Sequence, residues 1–320
     1  MTGMDRRRRR LLLVVVALVV LFAAFILTHP RGFSVYVVTI WANQGVLLAL
    51  AAIAQFFVVI VRGIDLSIGS IIALTNVAAS YLVFGTPGEI AFGIVVVLAL
   101  GVLCGFLNGL VVVFGRVEPI VATLATGAIY GGIALLWRPI PGGEIDDTLG
   151  DLLTYDVNGV PTSLIVLVVV LVAISIPLRR TRIGLSMLAV GSSEQSAFLT
   201  GIQVRVAKLV AYSLAGLFGA LTALYIAFVT LTGDPAIGPA YTLNSIAAVV
   251  LGGVPLTGGV GAPLLAVLGA LILKTISSLM FFTGIPPLAQ SFFEGLVLAV
   301  AIGIGAIDAL RSRSKLKVYE

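Results

Sequence analysis

Residues 5–28 read DRRRRRLLLVVVALVVLFAAFILT. Five arginines, Arg6 to Arg10, abut an unbroken apolar run over 11–28. That run is close to the roughly 20 residues a helix needs to cross the hydrocarbon core of a bilayer. Basic residues just ahead of a first span hold that end in the cytoplasm. The chain runs on through Thr28-His29-Pro30-Arg31 with no small-x-small cleavage site. A retained span is therefore expected, not a cleaved leader.

Outward from that run the pattern repeats. Further apolar stretches lie at 36–61, 66–84, 90–114, 119–137, 162–178, 207–231, 240–254, 263–283 and 288–309. With 60% hydrophobic residues, 10% charged and a mean hydropathy of +1.19, the composition fits ten spans. Soluble domains carry roughly 25% charged residues, so a water-soluble globule and a disordered chain are both excluded. The eighth stretch is short and glycine-rich, which predicts a broken or re-entrant segment. The fold class expected is all-α: one polytopic membrane domain over 1–320 with about ten transmembrane helices. A basic cytoplasmic N-terminus (1–10) and a basic cytoplasmic C-terminus (310–320) bound it.

Lysine and arginine support that count. Alternating from the first span, one side receives Arg6 to Arg10, Arg62, Arg116, Arg179, Arg180, Arg182, Arg205, Lys208, Arg311, Arg313, Lys315 and Lys317, 16 in all. The other side receives only Arg31 and Arg138, and Lys274 falls inside a span. This bias sets orientation and explains the net charge of +5 without nucleic acid. Two loops stand out. The loop 138–161 lies outside and is acidic, with Glu144, Asp146, Asp147, Asp151 and Asp156 against Arg138; the loop 179–206 lies inside and is basic. Neither holds a catalytic domain, so energy coupling would need a partner. The single cysteine, Cys104, excludes a disulfide framework, and the single histidine, His29, excludes a multi-histidine site.

An internal echo links VRGIDLSIG (61–69) to LGGVPLTGG (251–259). Gly63 aligns with Gly253 and Gly69 with Gly259, and Gly252 and Gly258 enrich the second copy. Paired glycine-interrupted segments point to a transporter's substrate path; close helix packing through small residues explains them equally well. Asp65 can cap the third span's free amides, with Arg62 placed to neutralise it, and Ser67 follows.

Four stretches carry a family likeness: VRGIDLSIGSIIAL (61–74), EPIVATLATGAIYGGIALL (118–136), RTRIGLSMLAVGSSEQSAFLTGIQVRVAKLVAYSLAGLFGAL (180–221) and YTLNSIAAVVLGGVPLTGGVGAP (241–263). The chain resembles the inner-membrane permeases of bacterial ABC-type sugar importers, the ribose-transport type, whose matching stretches run GGIDLSVGS and PPFIVTLATMSIYRGLAL. The resemblance implies a multi-pass protein of the bacterial inner membrane that is a transport subunit, not an enzyme, and needs no cofactor. It implies a second permease subunit, cytoplasmic ATP-binding subunits that hydrolyse ATP, and a periplasmic sugar-binding protein. The absence of a GxxxxGK[ST] loop agrees with a chain that does not itself hydrolyse ATP. Where the family's GYELDAIAA has carboxylates, this chain has Thr242 and Asn244. Gly131 stands where arginine is usual and Glu294 where lysine is usual.

Hydrogen-bonding candidates for a sugar are Asn43, Gln44, Gln55, Asn76, Asn108, Thr123, Thr126, Tyr130, Asn244, Ser245 and Gln290. Thr123, Thr126 and Tyr130 share one helical face. The same residue types also glue helices together across membranes. Lys274 and Glu294 sit at matched depth on consecutive spans and form a candidate buried pair. Trp41 and Trp137 lie near outer span ends, where indoles favour the interface. Residues 192–201, SSEQSAFLTG, resemble the family's coupling helix. Ser193 would cap it and Glu194 would occupy its first turn. Ala197 would permit close approach of the ATPase subunit, Phe198 and Leu199 would supply apolar contact, and Gly201 would stop the helix. Rival cargoes are branched-chain amino acids, nucleosides or a sugar-like signal. A remote rival is an ion-coupled transporter using Lys274 and Glu294.

Overall fold

The computed structural model describes residues 3–286 together with Ala289, Phe292, Phe293, Gly295, Leu296, Ala299 and Gly303. The expected tenth span at 288–309 lies mostly outside the described residues, as do Gln290, Glu294 and the 310–320 tail. The expected Lys274–Glu294 pair therefore falls outside them too.

The protein is an all-α polytopic membrane bundle. Seven described helices are long and apolar enough to cross a bilayer: α1 (Gly3–Thr28), α2 (Val35–Ile60), α4 (Pro87–Val113), α5 (Pro119–Trp137), α7 (Thr162–Arg180), α10 (Val204–Thr230) and α12 (Pro263–Phe282). Two apolar helices are shorter, α3 (Ile68–Leu82) and α11 (Gly238–Leu251). Small elements close the loops: α6 (Asp147–Thr154) and the two-residue hairpin β1 (Asp156–Val157) with β2 (Val160–Pro161) at the acidic end. At the basic end lie α8 (Arg182–Ser192) and α9 (Glu194–Leu199).

Helix α2 is the axis, buried along almost its whole length from Ala42 to Ile60. Helix α10 packs beside it, α4 covers α10, α12 covers α2, and α1 packs on α12. Lipid supplies no hydrophobic drive between helices, so small residues that admit close backbone approach decide which helices touch. The α4–α10 seam is built this way. A Cβ on Gly105 would sit 2.1 Å from the Tyr212 carbonyl oxygen, and one on Gly216 would sit 2.0 Å from the Gly101 carbonyl oxygen. Trp41 departs from the interfacial role expected of it. Its indole is buried against Phe22 and donates to Thr275 Oγ1 at 3.0 Å, because α1 and α12 flank α2 there. Trp137 is half exposed.

The two short helices explain the broken segment. At 1.5 Å per residue, α3 and α11 span only about 22 Å each, short of the roughly 30 Å core. The segment 231–237 completes the crossing before α11 as irregular backbone lying along α3. Asn76 Oδ1 accepts from Asp234 N at 2.7 Å, and Asn76 Nδ2 donates to the Ala223 carbonyl at 3.2 Å. Irregular backbone at membrane depth is tolerated where protein satisfies it, and Asn76 does so here. The helices then meet: a Cβ on Gly69 would fall 2.2 Å from the Gly238 carbonyl oxygen, and one on Gly238 would fall 2.3 Å from the Gly69 carbonyl oxygen.

This contact pairs DLSIG (65–69) with DPAIG (234–238). In each, the aspartate Oδ1 accepts from the backbone N–H two residues on, Ser67 N and Ala236 N, both at 2.8 Å. Chain direction is reversed between them. The trio α2–α3–α4 thus corresponds to α10–α11–α12: α10 packs on α3 and α4 as α2 packs on α11 and α12. The echo expected between 61–69 and 251–259 is not this repeat, since its copies follow α2 and α11, which do not correspond. Those copies instead touch at the basic end, where a Cβ on Gly258 would fall 2.7 Å from the Arg62 side chain and 3.0 Å from Arg62 N.

Candidate functional site

A polar cluster lies where the segment 61–67 joins α2 to α3, and it collects six of the candidate and motif residues. Asp65 is fully buried and is the one buried carboxylate among the described residues. Its Oδ1 accepts from Ser67 N at 2.8 Å and Ser67 Oγ at 2.6 Å. Asn108 of α4 donates to Ser67 Oγ at 2.6 Å and to Asp65 Oδ2 at 3.4 Å. Tyr130 of α5 donates to Asn108 Oδ1 at 3.1 Å and to the Cys104 carbonyl at 3.0 Å. Thr123 Oγ1 accepts from Leu66 N at 3.0 Å. The Gln55 side-chain amide, turned to satisfy both groups, donates to the Asp65 carbonyl at 3.0 Å and accepts from Asp65 N at 3.2 Å.

Three helices, α2, α4 and α5, and the linking segment are thereby tied at one point. Buried polar groups need such partners, because an unpaired one costs about 1–3 kcal/mol. Burial pushes the Asp65 carboxyl above its usual pKa, and the bonds from Ser67 and Asn108 oppose that rise. Arg62 does not neutralise Asp65. Its guanidinium turns to α8 instead, Nε donating to the Gly191 carbonyl at 2.6 Å and Nη2 to the Ser192 carbonyl. The Tyr212 hydroxyl, beside Gly63, is buried with no hydrogen-bond partner among the described residues.

The other candidates are dispersed. Asn43 holds α6 through the Thr154 carbonyl at 2.9 Å. Gln44 is exposed on α2. Asn76 pins the 231–237 segment. Thr126 is half-buried and donates within its own helix to the Ala122 carbonyl at 3.1 Å. Ser245 is buried and donates to the Thr242 carbonyl at 2.9 Å, while Asn244 is half-buried beside it. Of the motif glycines, Gly253, Gly258 and Gly259 adopt φ of +81°, +75° and +74° in the turn after α11. Gly252 abuts the Leu265 carbonyl oxygen, where a Cβ would come within 1.9 Å.

At the basic end, α8 and α9 form a platform. Ser193 Oγ accepts from Ser196 N at 3.2 Å, the expected cap, and Gly201 stops the turn at φ +81°. Glu194 pairs with Lys208 of α10 at 2.7 Å. Ala197 is 3% exposed and faces the chain's own core, so it offers nothing to a partner; with α9 packed on α8 and α10, only the outer face remains free. Phe198 and Leu199 are 71% and 77% exposed. Sequence reading did not single out the glycine seam of α4 and α10, the aspartate–glycine pair at 234–238, or the partners of Arg62. Only the regular spacing of Gly101, Gly105 and Gly109 could have signalled the first.

Residues 37–302 match the family described as branched-chain amino acid transport system / permease component. The ribose import permease protein of Haemophilus influenzae is 33% identical over 288 residues, covering 88% of each chain. That of Bacillus subtilis is 32% identical over 263 residues, covering 79% of each. The autoinducer 2 import system permease protein of Escherichia coli is 33% identical over 276 residues, covering 84% of this chain and 79% of its own. No solved structure matches the chain.

Proposed function

This chain belongs to the branched-chain amino acid transport system / permease component family, and we propose that it is the membrane-spanning permease of an ATP-driven monosaccharide importer. The carrying observation is its likeness, over about four-fifths or more of its length, to permeases named for ribose import. A sugar-like signal is the second reading, favoured by the equally similar autoinducer 2 permease and by Thr242 and Asn244 in place of carboxylates.

On this reading the protein sits in the bacterial inner membrane with ten spans and the basic end, holding both termini, in the cytoplasm. Separate ATP-binding subunits dock under α8 and α9, where Phe198 and Leu199 stand free. A sugar-binding protein arrives at the acidic end, over α6. The sugar passes between this chain and a second permease, along the side where α3 is flanked by α5 and α11. Half-buried Ser70, Thr126 and Thr242 supply hydroxyls there. The Asp65 cluster holds the inner wall of that path closed in shape and does not bind cargo, because every donor and acceptor in it already has a protein partner.

Reconstitution into proteoliposomes with the ATP-binding subunits and binding protein tests this. ATP-dependent uptake of labelled D-ribose, insensitive to protonophore and outcompeting leucine, is expected. Uptake that collapses with protonophore at constant ATP would overturn it in favour of ion coupling. Uptake of autoinducer 2 but not ribose would select the second reading.

A further inference from the structure

Arg62 holds φ at +65°, a left-handed conformation that glycine adopts freely and a residue with a Cβ rarely does. Strain of this kind persists where surrounding structure imposes it, and it concentrates at working sites. The turn that ends α2 imposes it: Arg62 N donates to the Val59 carbonyl at 3.0 Å and Gly63 N to the Val58 carbonyl at 2.9 Å, and the side chain leaves that turn toward α8. The guanidinium forks onto the carbonyls of Gly191 and Ser192, the free C-terminal carbonyls of α8, where a cation is favoured.

Three segments converge at this point. A Cβ on Gly191 would fall 1.7 Å from the Ile60 carbonyl oxygen and 2.4 Å from Gly259 N. Gly259 N donates to Ile60 O at 3.0 Å, and Ser192 Oγ reaches the Gly259 carbonyl at 3.4 Å. The end of α2, the end of α8 and the turn between α11 and α12 are thus in backbone contact, with α9 beginning two residues beyond Ser192. On α9 itself, Lys208 to Glu194 is a partly exposed ion pair and holds weakly.

We propose that Arg62 is the joint through which displacement of the α8–α9 platform reaches α2 and, through Gly259, α12. It is a positioning residue for coupling ATP hydrolysis to transport, and this rests on the importer reading above. Both acceptors are backbone carbonyls, so the joint moves α8 as a rigid end and does not depend on a flexible side-chain partner. Arginine's planar fork suits two adjacent carbonyls, whereas a lysine ammonium can hold only one direction well.

Two substitutions separate coupling from folding. Arg62→Gly removes the fork and also relieves the backbone; Arg62→Lys keeps charge without the fork. The full complex with its ATP-binding subunits is assayed for assembly, basal ATP hydrolysis and D-ribose moved per ATP. A nitroxide at Val260→Cys, an exposed position next to Gly259, reports the response of the α11–α12 turn to ATP and vanadate. Arg62→Gly is expected to assemble and hydrolyse ATP at the basal rate. Its ribose moved per ATP should fall at least about fivefold, the lower range of measured coupling between sites, and its label response should shrink. Arg62→Lys should lie between. Wild-type uptake per ATP and label response in Arg62→Gly would overturn the proposal, as would loss of assembly together with hydrolysis, which would mark Arg62 as structural. A wild-type complex whose label responds but which moves no ribose would refute the cargo reading alone, and the label then decides the joint. A wild-type label indifferent to ATP would refute the importer reading and the joint together.

Discussion

Replacing Phe198 and Leu199 together by alanine should strip the permease of its ATPase partner without touching its own fold. Both side chains project from α9 with 71% and 77% of their surface free. Burying a whole phenylalanine or leucine side chain contributes about 1.5–3 kcal/mol. Scaled by the free fraction, covering both contributes at most about 2–4 kcal/mol, a loss of roughly 30- to 1000-fold in affinity on truncation. The measurement is titration of labelled ATP-binding subunit against detergent-solubilised permease, with thermal unfolding of the permease alone as control. A Kd within about threefold of wild type, at unchanged unfolding temperature, would refute the assignment of α9 as the docking surface. Ala197→Asp is a poor test of the same idea. Ala197 is 3% exposed toward the chain's own core, so an aspartate there buries an unpaired charge and lowers the unfolding temperature before any partner is considered.

The remaining expectations are these. Asp146→Asn, Asp147→Asn and Asp151→Asn together should slow association of the binding protein at low salt and leave it little changed at high salt, since opposite charge acts mainly on encounter and is screened; asparagine preserves the α6 cap that Asp146 gives to Thr148 N. Stopped-flow rates that do not move would make this loop a plain connector. Gly105→Ala should destabilise by about 1–3 kcal/mol, because its Cβ would meet the Tyr212 carbonyl oxygen at 2.1 Å. Gly132→Ala, with nothing within 4 Å, should be neutral or stabilising by up to about 1 kcal/mol in the same denaturation series. Burial raises the Asp65 pKa in the folded protein, so the unfolded chain gives up this proton first as pH rises. The contribution of Asp65 is therefore fully present below the ordinary carboxylate pKa and is lost as pH climbs through the raised one. The unfolding temperature of wild type should fall relative to Asp65→Asn over that climb, and parallel pH profiles would show that the carboxyl is not held as described.

Long apolar runs were legible because lipid leaves a crossing helix little choice of composition, and nine of the ten expected spans coincide with described helices. Where reading and structure part, the cause is pairing at a distance. The run at 66–84 looked like an ordinary span, and only 240–254, short and glycine-rich, read as broken. What shortens them to α3 and α11 is the meeting of Gly69 with Gly238, 169 positions apart, and the five-residue pair DLSIG and DPAIG is too brief to stand out among common residues. The echo at 251–259 attracted attention for glycines whose work is a turn of positive φ. Arg62 near Asp65 in sequence suggested an ion pair, yet the α8 carbonyls stand about 130 positions away. Gln55, Asn108, Thr123 and Tyr130 share their chemistry with any sugar-binding wall. Only the glycine seam that draws α4 onto α10, and α5 onto α3 at Gly127 and Gly131, turns Asn108 and Tyr130 inward to Asp65. The helices follow from the solvent, but the facing of each polar group follows from which backbones glycine allows to touch. A path for cargo must therefore be sought on faces that this packing leaves uncovered, beside α3, α5 and α11.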